Sequence, residues 1–542
     1  MPRDLVGLSR ARYDLLVVGG GIYGLFLAYE GASRGLSVAL VERDDFGSGL
    51  SFNHQRTVHG GLRALERGDL VAARQQIAER RMWAVIAPHL VRPLAFLVGT
   101  YRFTKRSRLA IGAGFALYDR LGRQRNAGLP PALHLPGSAL WSVARTRDVF
   151  PDIVARGLTG GAVWYDYQAR HPDRLNWTVA QAAMQAGAVL TSYAEAVLPL
   201  VEAGRVVGAR VRDTLDGSTC DIQARATVVA AGSSVGDVLR RFGADQATIP
   251  PLVRAANLVL DRPAPPMAIA APGPSGRMLT AVPWQESMLV GTWQSSEPIA
   301  SSTPQTAAAP ALDALLTDVN ATFPALQATI RDVRLIHHGL TPAVVRNGRA
   351  DLLPASRLLA PDTGTRPGLF AVIGVKFTTA RQTAEFVIDR IGRELNQSLQ
   401  PSRTASTPLP YAVQPDGAAV LPQDASLRGL ASPTRAPLLD WYGLEAANVA
   451  AFAVARGLTD PLDPGTRVIG GEIAYAAAHA RATRLADAVL RRTGLGATGP
   501  PGQAALARAA EIMGAALHWT ADRRAEEVAR VLARYVTAPR RP

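Results

Sequence analysis

The apolar run from Tyr13 to Val18 ends in Gly19-Gly20-Gly21, and Gly24 follows one turn into a stretch with helical character. A second apolar run, residues 36–42, closes on Glu42, eighteen residues after Gly24. This strand–Gly-x-Gly-x-x-Gly–helix–strand–acid order leaves little freedom of fold. Gly19 allows the tight turn, Gly21 lets a pyrophosphate approach the backbone, and Gly24 lets the helix pack closely on the strand. The helix N-terminus offers unpaired N–H groups and a positive dipole end. The Glu42 carboxylate suits the two hydroxyls of an adenosine ribose and would repel a 2′-phosphate. The pattern predicts an α/β protein built on a Rossmann-like unit that binds an adenine dinucleotide.

Length and composition set the frame around that unit. A chain of 542 residues exceeds one hydrophobic core and divides into two or three domains. With 48% hydrophobic and 19% charged residues it reads as globular. No apolar run is long enough for a membrane span, and the N-terminus lacks the apolar core of a secretory signal, so a cytoplasmic enzyme is expected. Cys220 is the only cysteine, and the nine histidines, His337-His338 included, show no metal-ligand spacing, so no metal is expected. The net charge of +15 is almost all arginine, because Lys105 and Lys376 are the only lysines. Such a bias says nothing of partners, and no nucleic-acid-binding motif accompanies it. It does single out Lys376, which lies in a Gly/Thr-rich segment. Between Tyr101 and Arg125, seven basic residues flank the apolar stretch 109–117. Two readings stand side by side there, contact with an anionic membrane surface and an ordinary surface helix.

FAD and NAD share the N-terminal unit, and two further segments favour FAD. Residues 227–232 (TVVAAG) run as a strand into Gly232 and resemble a second element common in flavoproteins of this type, where the chain passes the pyrophosphate again. Residues 374–381 (GVKFTTAR) follow another strand and open a helix whose amides would face an anionic reduced ring. Helices are also expected at 71–90, 173–187 and 305–320, strands at 160–167 and within 188–230 and 255–295, and a linker at 398–429.

At this point a resemblance becomes definite. His59-Gly60-Gly61-Leu62-Arg63, Gly374 to Arg381, Trp164-Tyr165-Asp166, Asp173-Arg174-Leu175, Tyr442-Gly443-x-Glu445 and Glu472-Ile473-Ala474-Tyr475 with His479 stand in this order. They resemble the FAD-dependent glycerol-3-phosphate dehydrogenases, within the D-amino-acid-oxidase-like flavoproteins, from residue 13 to about 535. The resemblance implies oxidation of a polyol phosphate to the ketone, with hydride passing to flavin N5 and electrons passing on to quinone. It implies contact with the inner face of the membrane and leaves room for a homodimer. Arg63 and Arg357 fall where phosphate arginines are expected, Lys376 beside the flavin, and His59 and His338 remain as candidate bases. The implied cofactor set is Gly19, Gly21, Gly24, Glu42, His59, Gly60, Gly61, Gly232, Gly374, Lys376, Thr378 and Thr379.

Departures stand beside the matches. Thr341 replaces an arginine, Asn257 a histidine and Ala64 a tyrosine, Trp293-Gln294 replaces Thr-Asp, and His54-Gln55-Arg56 replaces Ser-Ser-Lys. The region of His54 loosely resembles one where some amine-oxidising relatives attach flavin covalently, and a plain polar contact is the alternative. The expected architecture is a discontinuous FAD domain (12–85, 150–250, 335–397), an antiparallel-sheet substrate domain (86–149, 251–334) and a C-terminal helical domain (430–540). Two alternatives stay open, an oxidoreductase of the same fold acting on another hydroxy acid or an amine, and a flavin-binding protein without catalysis.

Overall fold

The computed structural model describes residues 5–102, 107–244, 248–299, 310–415 and 425–535. Two sheets organise it. In the eight-stranded sheet, Arg12–Val18 lies between Val38–Val41 and Thr219–Val229 and runs parallel to both. Val189–Thr191 extends one side in parallel, and Leu369–Ile373 the other. Val38–Val41 and Leu369–Ile373 are buried throughout, and so are residues 15–18 and 226–229 of the two strands between them, as in parallel strands covered by helices on both faces. The helix Ile22–Ser33 buries ten of its twelve residues, because it lies between Pro172–Gln185 and Ala380–Glu394. Its first turn therefore points at the ends of the central strands, where ligands of open α/β sheets bind.

The ten-stranded sheet is mostly antiparallel, with one parallel pair between Val91–Tyr101 and Ala268–Pro272. Its long ladder joins Val91–Tyr101 to Leu158–Ala169, and a second joins Leu252–Leu260 to Val333–Arg346. Two expected boundaries move as a result. The sequence groups Leu158–Ala169 and Val333–Arg346 with the nucleotide domain, yet both pair within the second sheet, as does Thr57–Val58. A strand's pattern reveals that it is a strand, while its ladder partner decides its sheet.

The C-terminal region is helical, from Ser432–Tyr442 to Ala521–Leu532. The stretch expected to be a linker is docked over 398–415. Gln400 O accepts from Arg34 Nε at 2.7 Å, Thr404 Oγ1 donates to the buried Glu30 Oε2 at 2.5 Å, and Leu409 is 2% exposed. Residues 416–424 of that stretch lie outside the described ones. The expected helix at 305–320 is found as Leu312–Thr322, its expected start lying outside the described residues. Lys105 does too. The basic stretch 101–125 yields the helix Arg108–Leu121, capped by the Ser107 hydroxyl.

Candidate active site

The glycine turn is held by contacts that no larger residue would permit. Gly19 has φ +111°, and a Cβ there would lie 2.7 Å from Ala230 O. A Cβ on Gly24 would lie 1.8 Å from Gly19 O, so helix and turn meet backbone to backbone. Glu42 Oε2 accepts from Gly20 N at 2.6 Å and Oε1 from Asp44 N at 2.9 Å, which fixes the carboxylate beside the turn. Burial pushes its pKa up against those two bonds. Ser51 Oγ accepts from Ile22 N at 2.9 Å and would be 3.1 Å from a Cβ on Gly21. Its hydroxyl thus stands where the helix N-terminus would receive a phosphate, with its own proton left to donate.

At the other end, Gly374–Thr379 leaves the strand Leu369–Ile373 and enters the helix Ala380–Glu394. Thr378 Oγ1 accepts from His59 N at 3.0 Å, and Thr378 O accepts from Trp83 Nε1 at 3.2 Å. His59, Gly60, Gly61, Thr378 and Thr379 are thereby brought together. Gly61 has φ +88° at the start of the short helix Leu62–Glu66. Asp166 anchors this corner. It accepts from Gly60 N at 2.8 Å and from Arg80 Nη1 at 2.6 Å, and lies 3.4 Å from His59 Nδ1. Burial works to raise its carboxyl, and His59 and Arg80 outweigh it and hold it below the usual range. The His59 side chain is 51% exposed, with Nδ1 turned to Asp166.

Lys376 Nζ donates to Gln76 Oε1 at 2.8 Å. Desolvation, helped by Arg67 and Arg63, brings its pKa down to about 8 against the pull of Asp69. Arg63 therefore belongs to the same cluster as Lys376. Arg357 pairs with Ile373, one residue before Gly374, and is exposed. Among the described residues neither arginine's guanidinium is engaged by a hydrogen bond or an ion pair. Arg381, by contrast, is consumed by Glu79 at 2.7 Å and Glu385 at 2.6 Å. Gly232 opens the turn after Thr219–Val229.

His338 sits on the second sheet opposite Ala256, and its carbonyl accepts from Asn53 Nδ2 at 2.5 Å. Thr341 lies opposite Val253 on the same ladder. Asn257 is buried, with its Oδ1 accepting from Thr292 Oγ1 at 2.9 Å. His54 packs on Phe377 with ring centroids 4.9 Å apart, and its Nδ1 accepts from Arg56 N at 2.9 Å. Burial, then Arg56 and His59, holds it neutral with a pKa of about 3. Arg56 lies 3.5 Å above the Trp284 ring. The Nε2 of His54 and the Oδ1 of Asn53 are buried without a hydrogen-bond partner. Polar atoms rarely stay so, and these two lie along the chain between Ser51 and His59. The glycine cradle, the ribose-type carboxylate and these atoms all fit a bound FAD.

Sequence reasoning missed Tyr23, Ser51, Gln76, Glu79 and Arg80. A signal existed for the last three. Gln76, Glu79, Arg80 and Trp83 recur at helical spacing and form a buried polar face on Leu70–Ile86.

The comparisons with known proteins agree with this geometry. Residues 14–390 match the family described as FAD dependent oxidoreductase, and residues 402–524 match the C-terminal domain of alpha-glycerophosphate oxidase. The chain belongs to the FAD-dependent oxidoreductase family, and its cofactor is FAD. It is 32% identical over 549 residues to glycerol-3-phosphate dehydrogenase 2 of Mycobacterium bovis, covering 97% of this chain and 88% of the relative. It is 28% identical over 543 residues to the glycerol-3-phosphate dehydrogenase of Synechocystis, with 96% of each covered. Among solved structures, the glycerol-3-phosphate dehydrogenase of Bacillus halodurans complexed with FAD superposes with a TM-score of 0.70 at 23% identity, over 99% of this chain and 97% of that one. Among the described residues no helix is long and apolar enough to cross a membrane, and no group of three or more His, Cys, Asp or Glu residues is placed to hold a metal.

Proposed function

We propose that the chain is an FAD-dependent dehydrogenase that oxidises the secondary alcohol of glycerol 3-phosphate, or of a similar polyol phosphate, to the ketone and passes the electrons to quinone. The observation that carries this reading is the Lys376–Arg63 cluster beside the His59–Thr378 contact, at the mouth of the cofactor segment. Bound FAD supplies the hydride acceptor. Everything else falls to side chains of this chain. Arg63, with Arg357 at the neighbouring strand edge, holds the phosphate through charge-assisted hydrogen bonds. His59, oriented by Asp166 through Nδ1, leaves Nε2 to accept the hydroxyl proton. His338 is the other candidate base, and it lies on the second sheet. Lys376 places a compact positive charge where negative charge grows on reduction.

The test is anaerobic bleaching of the purified yellow protein by glycerol 3-phosphate, within a panel of polyol phosphates, hydroxy acids and amines. Bleaching by a non-phosphorylated member alone would transfer the assignment to another substrate class. Thr341 and the internally bonded Asn257 favour keeping that alternative in the panel. A yellow protein that nothing bleaches would be a flavin-binding protein without catalysis.

Peripheral attachment to an anionic membrane surface completes the proposal. The helix Arg108–Leu121 leaves Leu109 88% and Leu117 40% exposed, beside exposed Arg108, Arg120 and Arg123. Such a face suits headgroup contact. The test is co-sedimentation with anionic vesicles, expected at low salt and lost at high salt as the Debye length shortens, and no pelleting at low salt would reduce this face to an ordinary surface helix.

A further inference from the structure

Tyr23 is the residue after Ile22 in the first turn of the cofactor helix, and its side chain does not stay there. Its hydroxyl reaches the Gly374–Lys376 segment, 353 residues along the chain. It donates to Lys376 O at 2.8 Å and accepts from Lys376 N at 3.0 Å and Val375 N at 3.1 Å. Ser356 Oγ lies 2.8 Å away on the neighbouring strand connection. A phenol has one proton and two lone pairs, so with the proton on Lys376 O and the two backbone N–H groups on the lone pairs, Ser356 Oγ stands beside a complete set of bonds. The ring presses on the same segment, because a Cβ on Gly374 would lie 2.6 Å from it. One side chain therefore grips both backbone polar groups of Lys376.

The position of that grip matters. Gly374–Lys376 falls between the end of Leu369–Ile373 and the turn Phe377–Thr379, outside both elements, with Lys376 as the cap of the turn. The Lys376 side chain is held only at its tip, by Gln76 Oε1. Arg63, Arg67 and Asp69 are the charged groups that face it. Backbone aim thus decides whether the ammonium stays packed among those groups or swings into solvent.

We infer that Tyr23 is the positioning residue for Lys376, and that its hydroxyl ties the pyrophosphate end of the cofactor site to the end where the ammonium stands. The inference rests on the reading above only in taking Lys376 to face the flavin.

The test exploits the chain's two lysines. Competitive acetylation of the holoprotein with acetic anhydride across a pH series, read by mass spectrometry, gives a titration midpoint for Lys376, with Lys105 as an internal reference. In the wild type that midpoint is expected at about 8. In Tyr23→Phe, which keeps the ring, it rises toward the ordinary 10.5 while Lys105 is unmoved. An unchanged Lys376 midpoint in folded, yellow Tyr23→Phe overturns the inference, whatever happens to melting temperature. Should Tyr23→Phe fail to fold, amide hydrogen exchange of the wild-type holoprotein at Val375 and Lys376 is read instead, with slow exchange supporting the inference and free exchange overturning it. Bleaching by substrate is not part of this readout, so a wrong substrate assignment and a wrong role for Tyr23 are told apart.

Discussion

Asp45, just beyond the ribose-side strand, is gripped by Arg492 of the C-terminal helical region in a fully buried two-pronged ion pair. Nη1 donates to Oδ2 at 2.9 Å and Nη2 to Oδ1 at 2.7 Å, and Arg491 Nε adds a third bond at 2.5 Å. Arg491 also pairs with Asp487, which accepts from the Tyr193 hydroxyl at 2.7 Å. The two regions are thus joined by charges that water cannot reach.

Removing one partner from such a pair strands the other. Asp45→Ala should cost about 3–5 kcal/mol, read from denaturant unfolding. The pH dependence has a definite sign. Burial works to raise the Asp45 carboxyl, and Arg492 and Arg491 outweigh it, so it stays below the ordinary 3.8. A carboxyl depressed by folding stabilises above its unfolded value and loses that contribution as the pH falls through the folded one. Wild type should therefore lose more stability than Asp45→Ala when acidified below 3.8. Equal losses would remove the pair from the account.

Gly21→Val should give folded protein without yellow colour. The added side chain would meet Ser51 Oγ, 3.1 Å from the Cβ position, and fill the space where a phosphate would sit. The ratio of flavin to protein absorbance after gel filtration is the measurement, and full flavin content would refute the cradle.

Lys376 should make flavin reduction pH-dependent. Its ammonium loses the proton as the pH rises through about 8, so the reduction rate should fall above that value. Lys376→Met should be slow and flat across the same range. Lys376→Arg keeps a charge, yet its planar fork is larger than an ammonium and cannot replace it against Gln76. Wild-type rates in Lys376→Arg would make this lysine an accident of composition.

Arg63→Ala and Arg357→Ala should each raise the KM for a phosphorylated substrate. One lost charge-assisted bond is worth about 1.5–3 kcal/mol, or roughly ten- to a hundredfold. Thr341→Arg should lower the KM for glycerol 3-phosphate. Steady-state kinetics of the three variants on phosphorylated and non-phosphorylated alcohols decides this. An effect equal on both substrate types would mean that the arginines do not read phosphate.

What the sequence disclosed, and what it withheld, follows from range. The strand–glycine–helix unit and Glu42 were legible because turn, helix and acid lie within thirty residues and each has a local physical cause. Lys376 stood out because arginine had replaced lysine almost everywhere else. Tyr23 was invisible, since its partners lie 333 and 353 residues away and a tyrosine in a helical pattern reads as packing. Asp45 and Arg492 are 447 residues apart, and no local pattern pairs them. Domain borders slipped for the same reason. The pattern of 160–167 announces a strand, and only its ladder with Val91–Tyr101 assigns it to the second sheet.

The docked stretch 398–415 changes how the C-terminal helices relate to the rest of the chain. A slack tether would hold them nearby at a finite effective concentration, free to dissociate and to trade places with those of a neighbour. Here Thr404 is bonded into the core at Glu30, and Leu409 N donates to Ile86 O at 2.8 Å. An exchange between two copies that opened the chain at 398–415 would have to peel this strap away first, which places a kinetic barrier against swapping at this point.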